Sequence, residues 1–144
     1  MNVKTILRNK GRSVVTIHQD ATVGQAVALL HQRGIGALVV SDDGECADGI
    51  ISERDIVAAL ALYGSDLSDL RVGEVMSAPV ATCAPDDSVA ELMAEMTNRR
   101  IRHFPVVRNG RLCGIVSIGD LVKSRLDEIE FEASSMRSFI AGAA

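Results

Sequence analysis

Gly49-Ile50-Ile51-Ser52-Glu53-Arg54-Asp55-Ile56-Val57-Ala58-Ala59-Leu60 and Gly114-Ile115-Val116-Ser117-Ile118-Gly119-Asp120-Leu121-Val122-Lys123-Ser124-Arg125 stand 65 residues apart and decide the fold. Each opens on a β-prone apolar triplet, passes through Ser-x-x-Asp and continues into a helix-forming run. Each therefore reads as a short buried strand running directly into a helix. Ser-x-x-Asp is a helix-start signal, because the hydroxyl and the later carboxylate satisfy free backbone N–H groups at the helix end. The same pattern twice marks an internal duplication.

Working outward, each stretch is preceded by a turn, Asp42-Asp43-Gly44 in one copy and Asn109-Gly110 in the other, as in a hairpin. Before the turns, Gly34-Ile35-Gly36-Ala37-Leu38-Val39-Val40 lies over Arg100-Ile101-Arg102-His103-Phe104-Pro105-Val106, 66 residues on. The first copy is one residue longer at its turn. Further back, Val23, Ala26, Val27 and Leu30 fall over Val89, Leu92, Met93 and Met96, the spacing of a helix with one buried face. Thr22 with Gln25, and Ser88 with Glu91, are the matching caps.

The expected strands are Val14–Ile17, Ala37–Ser41 and Gly49–Ile51, then Val80–Thr82, Phe104–Val107 and Gly114–Val116. Each copy is thus strand–helix–strand–strand–helix, an α+β unit too small to bury enough surface alone. Two copies packed sheet to sheet with pseudo-twofold symmetry solve that. The expected organisation is an N-terminal helix or arm at 1–12, repeats at 13–64 and 78–126, a polar connection at 65–77 and a short C-terminal helix at 127–144.

Composition narrows the function. The 144 residues are 47% hydrophobic but only 3% aromatic, so the core is aliphatic. A net charge of -4 argues against broad binding to nucleic acid or anionic membrane. No apolar run reaches the roughly 18–20 residues of a membrane span. The start, MNVKTILRNKGR, lacks the apolar stretch of a secretory signal. Cys46, Cys83 and Cys113 form no C-x-x-C pair, which suits a reducing cytoplasm and makes a poor zinc site. His18, His31 and His103 pair with no Ser or Cys at a recognised catalytic spacing, and no Walker loop or GxGxxG turn is present. The expectation is a protein that is not an enzyme.

With the duplication laid out, the chain resembles a CBS-domain pair, also called a Bateman module. The stretches Gly49–Asp55 and Gly114–Asp120 carry the resemblance, with Arg100–Val107 and Val72-Gly-Glu-Val-Met76 adding to it. The ends resemble small stand-alone members of bacteria and plant organelles. The resemblance implies clefts between the repeats that hold AMP, ATP, NAD or S-adenosylmethionine, no catalytic cofactor, and disc-shaped homodimers. Asp55 and Asp120 are then expected on ribose, with Ser52, Arg54 and Ser117 near ribose or phosphate.

The chemistry of the residue types is compatible with this. A helix N-terminus favours an anion, a carboxylate accepts from ribose hydroxyls, and Arg54 adds a charge suited to phosphate. The same four-residue box is also an ordinary cap that needs no ligand. Arg99-Arg100-Ile101-Arg102-His103 is the densest positive run, read either as a phosphate cradle at Arg102 and His103 or as a solvated edge. Pro105 offers no N–H to a sheet and could instead wall an adenine ring. Gly36 and Ala37 leave room for a base or ribose, or form a tight loop. Thr16 and Thr82 stand where the family contacts the base through backbone, and core packing is the alternative. Gly119 replaces Arg54 in the second copy, so the clefts are not equivalent.

Leu126–Ile140 carries Ile129, Ala133, Met136 and Ile140 on one helical stripe with Phe139 beside it. Either a second copy in a homodimer or the chain itself must cover it. The functional expectation is a regulatory adenine-nucleotide module that senses energy or redox state; the alternative is a protein-interaction adaptor with vestigial clefts.

Overall fold

The computed structural model describes residues 1–143. Ala144, at the end of the expected C-terminal helix, lies outside the described residues. Helix α1 (Val3–Lys10) precedes the first repeat, which is built from β1 (Thr16–Ile17), α2 (Val23–Arg33), β2 (Ala37–Val40), β3 (Gly49–Ser52) and α3 (Glu53–Tyr63). A 3-10 turn (Gly64–Asp69) and the one-turn helix α4 (Val72–Val75) lead to the second repeat: α5 (Val89–Arg99), β4 (His103–Arg108), β5 (Arg111–Ser117) and α6 (Ile118–Ala143). This is the tandem α+β pair that the duplication leads one to expect. No helix among the described residues is long and apolar enough to cross a membrane.

In the first repeat β1 runs parallel to β2, and β2 pairs antiparallel with β3, Ala37 opposite Ser52. In the second, β4 and β5 pair antiparallel, His103 opposite Ser117. Asn109 and Gly110 both have positive φ at the turn, as a tight two-residue hairpin requires.

The expected strand Val80–Thr82 does not form; only Cys83 bridges β4, at Val106. Pro105 supplies the reason. In the first repeat the N–H groups of Val39 and Ser41 donate to the carbonyls of Val15 and Ile17, holding the first strand in place. In the second, Cys83 N–H donates to Pro105 O and Val107 N–H to Cys83 O, but the residue matching Val39 is Pro105, which has no N–H for Ala81. One missing donor reduces a strand to a bridge.

A second difference concerns the flanks. The stretch 65–77 reads as a polar connection, yet Val72 is fully buried with Val75 and Met76 against the first repeat's core. Symmetrically, Val3, Ile6 and Leu7 of α1 enter the core of the second repeat beside Phe104, Val106, Val116 and Leu121. The backbone contacts match: Val72 N–H donates to Ala21 O at 2.8 Å and Val3 N–H to Asp87 O at 3.1 Å. Val3-Lys-Thr-Ile-Leu7 and Val72-Gly-Glu-Val-Met76 are therefore a third repeated segment. Each stands at the start of one repeated unit yet completes the core of the other. Gly114 and Gly49 admit them: a Cβ would stand 2.7 Å from Leu7 at Gly114, and 2.7 Å from the Met76 sulfur at Gly49.

The expected C-terminal helix is present but is not separate. It continues the second repeat's last helix without a break, the two forming one helix of 26 residues, Ile118–Ala143.

Candidate functional site

Both Ser-x-x-Asp boxes form as helix caps. Ser52 Oγ accepts from Asp55 N–H at 3.3 Å, while Asp55 Oδ2 accepts from Ser52 N–H at 2.9 Å and from its hydroxyl at 3.0 Å. Ser117 Oγ accepts from Asp120 N–H at 3.1 Å, and Asp120 Oδ2 accepts from Ser117 N–H at 2.9 Å. The capping role is thus real at both positions, and it occupies Oδ2 in each case.

The remaining partners separate the two carboxylates. Asp55 Oδ1 accepts from Ser77 Oγ at 2.9 Å, so its second oxygen is satisfied from just beyond α4. Asp120 Oδ2 also accepts from Lys10 Nζ at 2.7 Å, and this ammonium donates to Ile115 O at 3.0 Å as well. Asp120 Oδ1 takes no hydrogen bond from the described residues. Burial alone would raise the Asp120 pKa, but the Lys10 ammonium and the Ser117 N–H outweigh it and hold the carboxyl below its ordinary range.

His103 enters β4 opposite Ser117 and is half-buried. Its ring lies 3.5 Å from where a Cβ on Gly36 would stand, and the Glu53 carboxyl lies 3.7 Å from the same point. The first repeat's small residue therefore leaves room over a side chain of the second. Burial pushes the His103 pKa down and Lys10 adds to this, against the opposing pull of Asp120 and Glu53. The imidazole is neutral near pH 7, able to donate through one nitrogen and accept through the other.

The other expected residues distribute as follows. Ala37 is buried opposite Ser52, and Thr16 is half-buried beside Val39. Arg54 is exposed and donates across the repeats to the Arg100 carbonyl. Arg102 is exposed, and its carbonyl accepts from Ile118 N–H, as Gly36 O accepts from Glu53 N–H in the first repeat. Thr82 is exposed outside any strand. Pro105 is buried within β4, so the apolar wall expected of it is covered by the protein itself.

Lys10, Glu53 and Ser77 were not legible as site residues. Lys10 and Ser77 follow the two crossing segments, so only the Val3/Val72 repeat could have signalled them. A groove of about 400 Å³ opens between α1 and α6, lined among others by Thr5, Asn9, Lys10, Asp120 and Lys123. It shares Lys10 and Asp120 with the inter-repeat junction but not His103 or the first repeat's residues. Among the described residues no group of three or more His, Cys, Asp or Glu is placed to hold a metal ion. Burial pushes the Cys83 thiol up to about 12, and Asp43 raises that of exposed Cys46, so neither is an activated thiol.

Comparison with known proteins agrees with this architecture. The CBS domain family model matches residues 3–62 and 72–127, so each matched unit begins at a crossing segment. The mitochondrial CBS domain-containing protein CBSX3 of Arabidopsis thaliana is 33% identical over 97% of this chain and 72% of its own length. A CBS-domain containing protein of Agrobacterium tumefaciens, 45% identical, superposes with a TM-score of 0.84 over 87% of this chain and 99% of its own. The CBS domain pair of protein MJ0100, solved in complex with 5′-methylthioadenosine and S-adenosyl-L-methionine, is 29% identical with a TM-score of 0.75 over 90% of this chain and 98% of its own. A duplicated α+β unit, two capped Ser-x-x-Asp helix starts and a family match across both halves lead to one conclusion: the chain belongs to the CBS domain family, as a tandem pair.

Proposed function

We propose that this CBS pair is a non-catalytic regulatory module that binds an adenosine-bearing ligand at the Asp120 side of the inter-repeat junction. The observation that carries this is the convergence of Lys10, His103 and Asp120, from three separate segments, with the His103 ring beside Gly36 of the other repeat. Asp120 Oδ1 accepts from ribose hydroxyls, while Lys10, His103 and Arg102 meet phosphate when the ligand carries one. The adenosyl ligands in the complex of the MJ0100 pair support the ligand class. Occupancy of the junction shifts the arrangement of the repeats by its differential affinity for the two states, which is how the module reports energy or redox state. Exposed Val57, Leu60, Leu62 and Tyr63 on α3, with Val122 on α6, support a homodimer.

The first cleft favours the other reading. Asp55 is satisfied by Ser52 and Ser77, and Arg54 is engaged with Arg100, so this half fits a structural joint.

Thermal unfolding against AMP, ADP, ATP, NAD, NADH and S-adenosylmethionine tests the proposal. A ligand at 100 times its dissociation constant stabilises the folded state by about 2.7 kcal/mol. The expected result is a shift with one of them, lost in Asp120→Ala and kept in Asp55→Ala. Lys10→Ala weakens the phosphate-bearing ligands and spares S-adenosylmethionine. No shift with any ligand overturns the sensor reading and favours the adaptor.

A further inference from the structure

Helix α6 leaves the body of the protein with an apolar stripe uncovered. Leu121 and Ser124, on its inner face, are buried against the second repeat. The stripe one residue on is not: Leu126, Ile129, Met136 and Ile140 are 55%, 46%, 61% and 61% exposed. None of the described residues folds back on it. Counted from Val122, the stripe runs through Leu126, Ile129, Ala133, Met136 and Ile140 at alternating spacings of four and three, the a/d seam of a coiled coil.

The residues flanking the seam say what covers it. With Leu126, Ala133 and Ile140 at a, the g positions are Arg125, Glu132 and Phe139, and the e positions are Lys123, Glu130 and Arg137. In a parallel pair, g of one helix faces e of the next heptad on the other. That sets Arg125 against Glu130 and Glu132 against Arg137, opposite charges in both cases and twice over by symmetry. In an antiparallel pair with its ends aligned, e faces e and g faces g. Glu130 then meets Glu130, Glu132 meets Glu132 and Lys123 meets Arg137, all like charges.

We infer that the distal half of α6 pairs with α6 of a second copy as a parallel, in-register two-stranded coiled coil. Arg125 binds Glu128 of its own helix at 3.2 Å in the single chain. Such exposed pairs are worth little and exchange readily. About two and a half heptads would be marginal as a free peptide, but α6 is already nucleated on the folded repeat. Asp127, Glu128, Glu130 and Glu132 make the segment acidic, which disfavours an anionic membrane as occupant. Parallel pairing brings the same end of both modules together, so it also sets the orientation of the assembly. The inference stands whether or not either cleft binds a nucleotide.

Sedimentation equilibrium of the full chain tests it with Glu132→Lys, Arg137→Glu and the double variant. Each single reversal places like charges across the seam and is expected to weaken self-association about tenfold. The double variant restores opposite signs and is expected to recover to within about twofold of the unmodified chain. Orientation is read in a background of Cys46→Ser and Cys113→Ser. There Met136→Cys, at a d position, oxidises to a disulfide-linked dimer, and Ser134→Cys, on the outer face, does not. A chain monomeric throughout overturns the inference, as do equal crosslinking at the two positions and self-association indifferent to both reversals. Indifference to the reversals would leave a dimer built through α3 standing.

Discussion

At the scale of single residues, charge across the inter-repeat junction governs behaviour. Burial and Lys10 hold the His103 pKa below its ordinary 6.5 in the folded chain, whereas the unfolded chain binds a proton near that value. Stability from this residue is therefore complete above about pH 6.5 and lost as the pH falls below it. Urea denaturation between pH 7.5 and 5 is expected to show that decline, and His103→Asn to flatten it; an unchanged slope would remove His103 as its source. Asp120, whose pKa is lowered, contributes in a separate window, with stability present above its ordinary 3.8 and lost below. The two effects are thus separable by pH. The caps at Ser52/Asp55 and Ser117/Asp120 were legible because their partners are three residues apart. Lys10 was not, because 110 residues separate it from Asp120.

At the scale of elements, the difference between the repeats turns on a backbone donor. Val80–Thr82 has the apolar, β-branched character of a strand, but a strand also needs partners, and Pro105 withholds one. Pro105→Val is expected to extend pairing back to Ala81 and to give the new amide slow hydrogen exchange. Its net effect on stability should stay within about 1 kcal/mol, since a hydrogen bond gained is offset by restored freedom in the unfolded chain. Rapid exchange at position 105 would mean that another constraint, not the missing N–H, holds 80–82 out of the sheet. The helices were easier to read than this strand because their buried faces repeat along contiguous sequence.

At the scale of the whole molecule, the crossing segments bind the halves into one unit. Leu7 lies in the second repeat's core although it precedes the first repeat in the chain. Leu7→Ala is expected to cost about 2–5 kcal/mol. The chain has one tyrosine and no tryptophan, so Tyr63, on α3 of the first repeat, reports from the other half. In denaturant, Tyr63 fluorescence and far-UV circular dichroism are expected to move together to the same lower midpoint in Leu7→Ala. A tyrosine transition that stays in place while the dichroism shifts would show that the repeats unfold independently.

The amino-acid order alone determined the duplication, the helices of both repeats, the hairpins and the helix caps. Each depends on side-chain period or on partners within a few residues. It also set out the a/d pattern of α6, which is written along one helix. Tertiary structure alone decided that α1 and α4 change places between the cores and that Lys10 meets Asp120. It also decided that Pro105 erases a strand 20 or more residues away. These outcomes depend on which distant groups meet once apolar faces are buried, and spacing along the chain carries no record of such meetings.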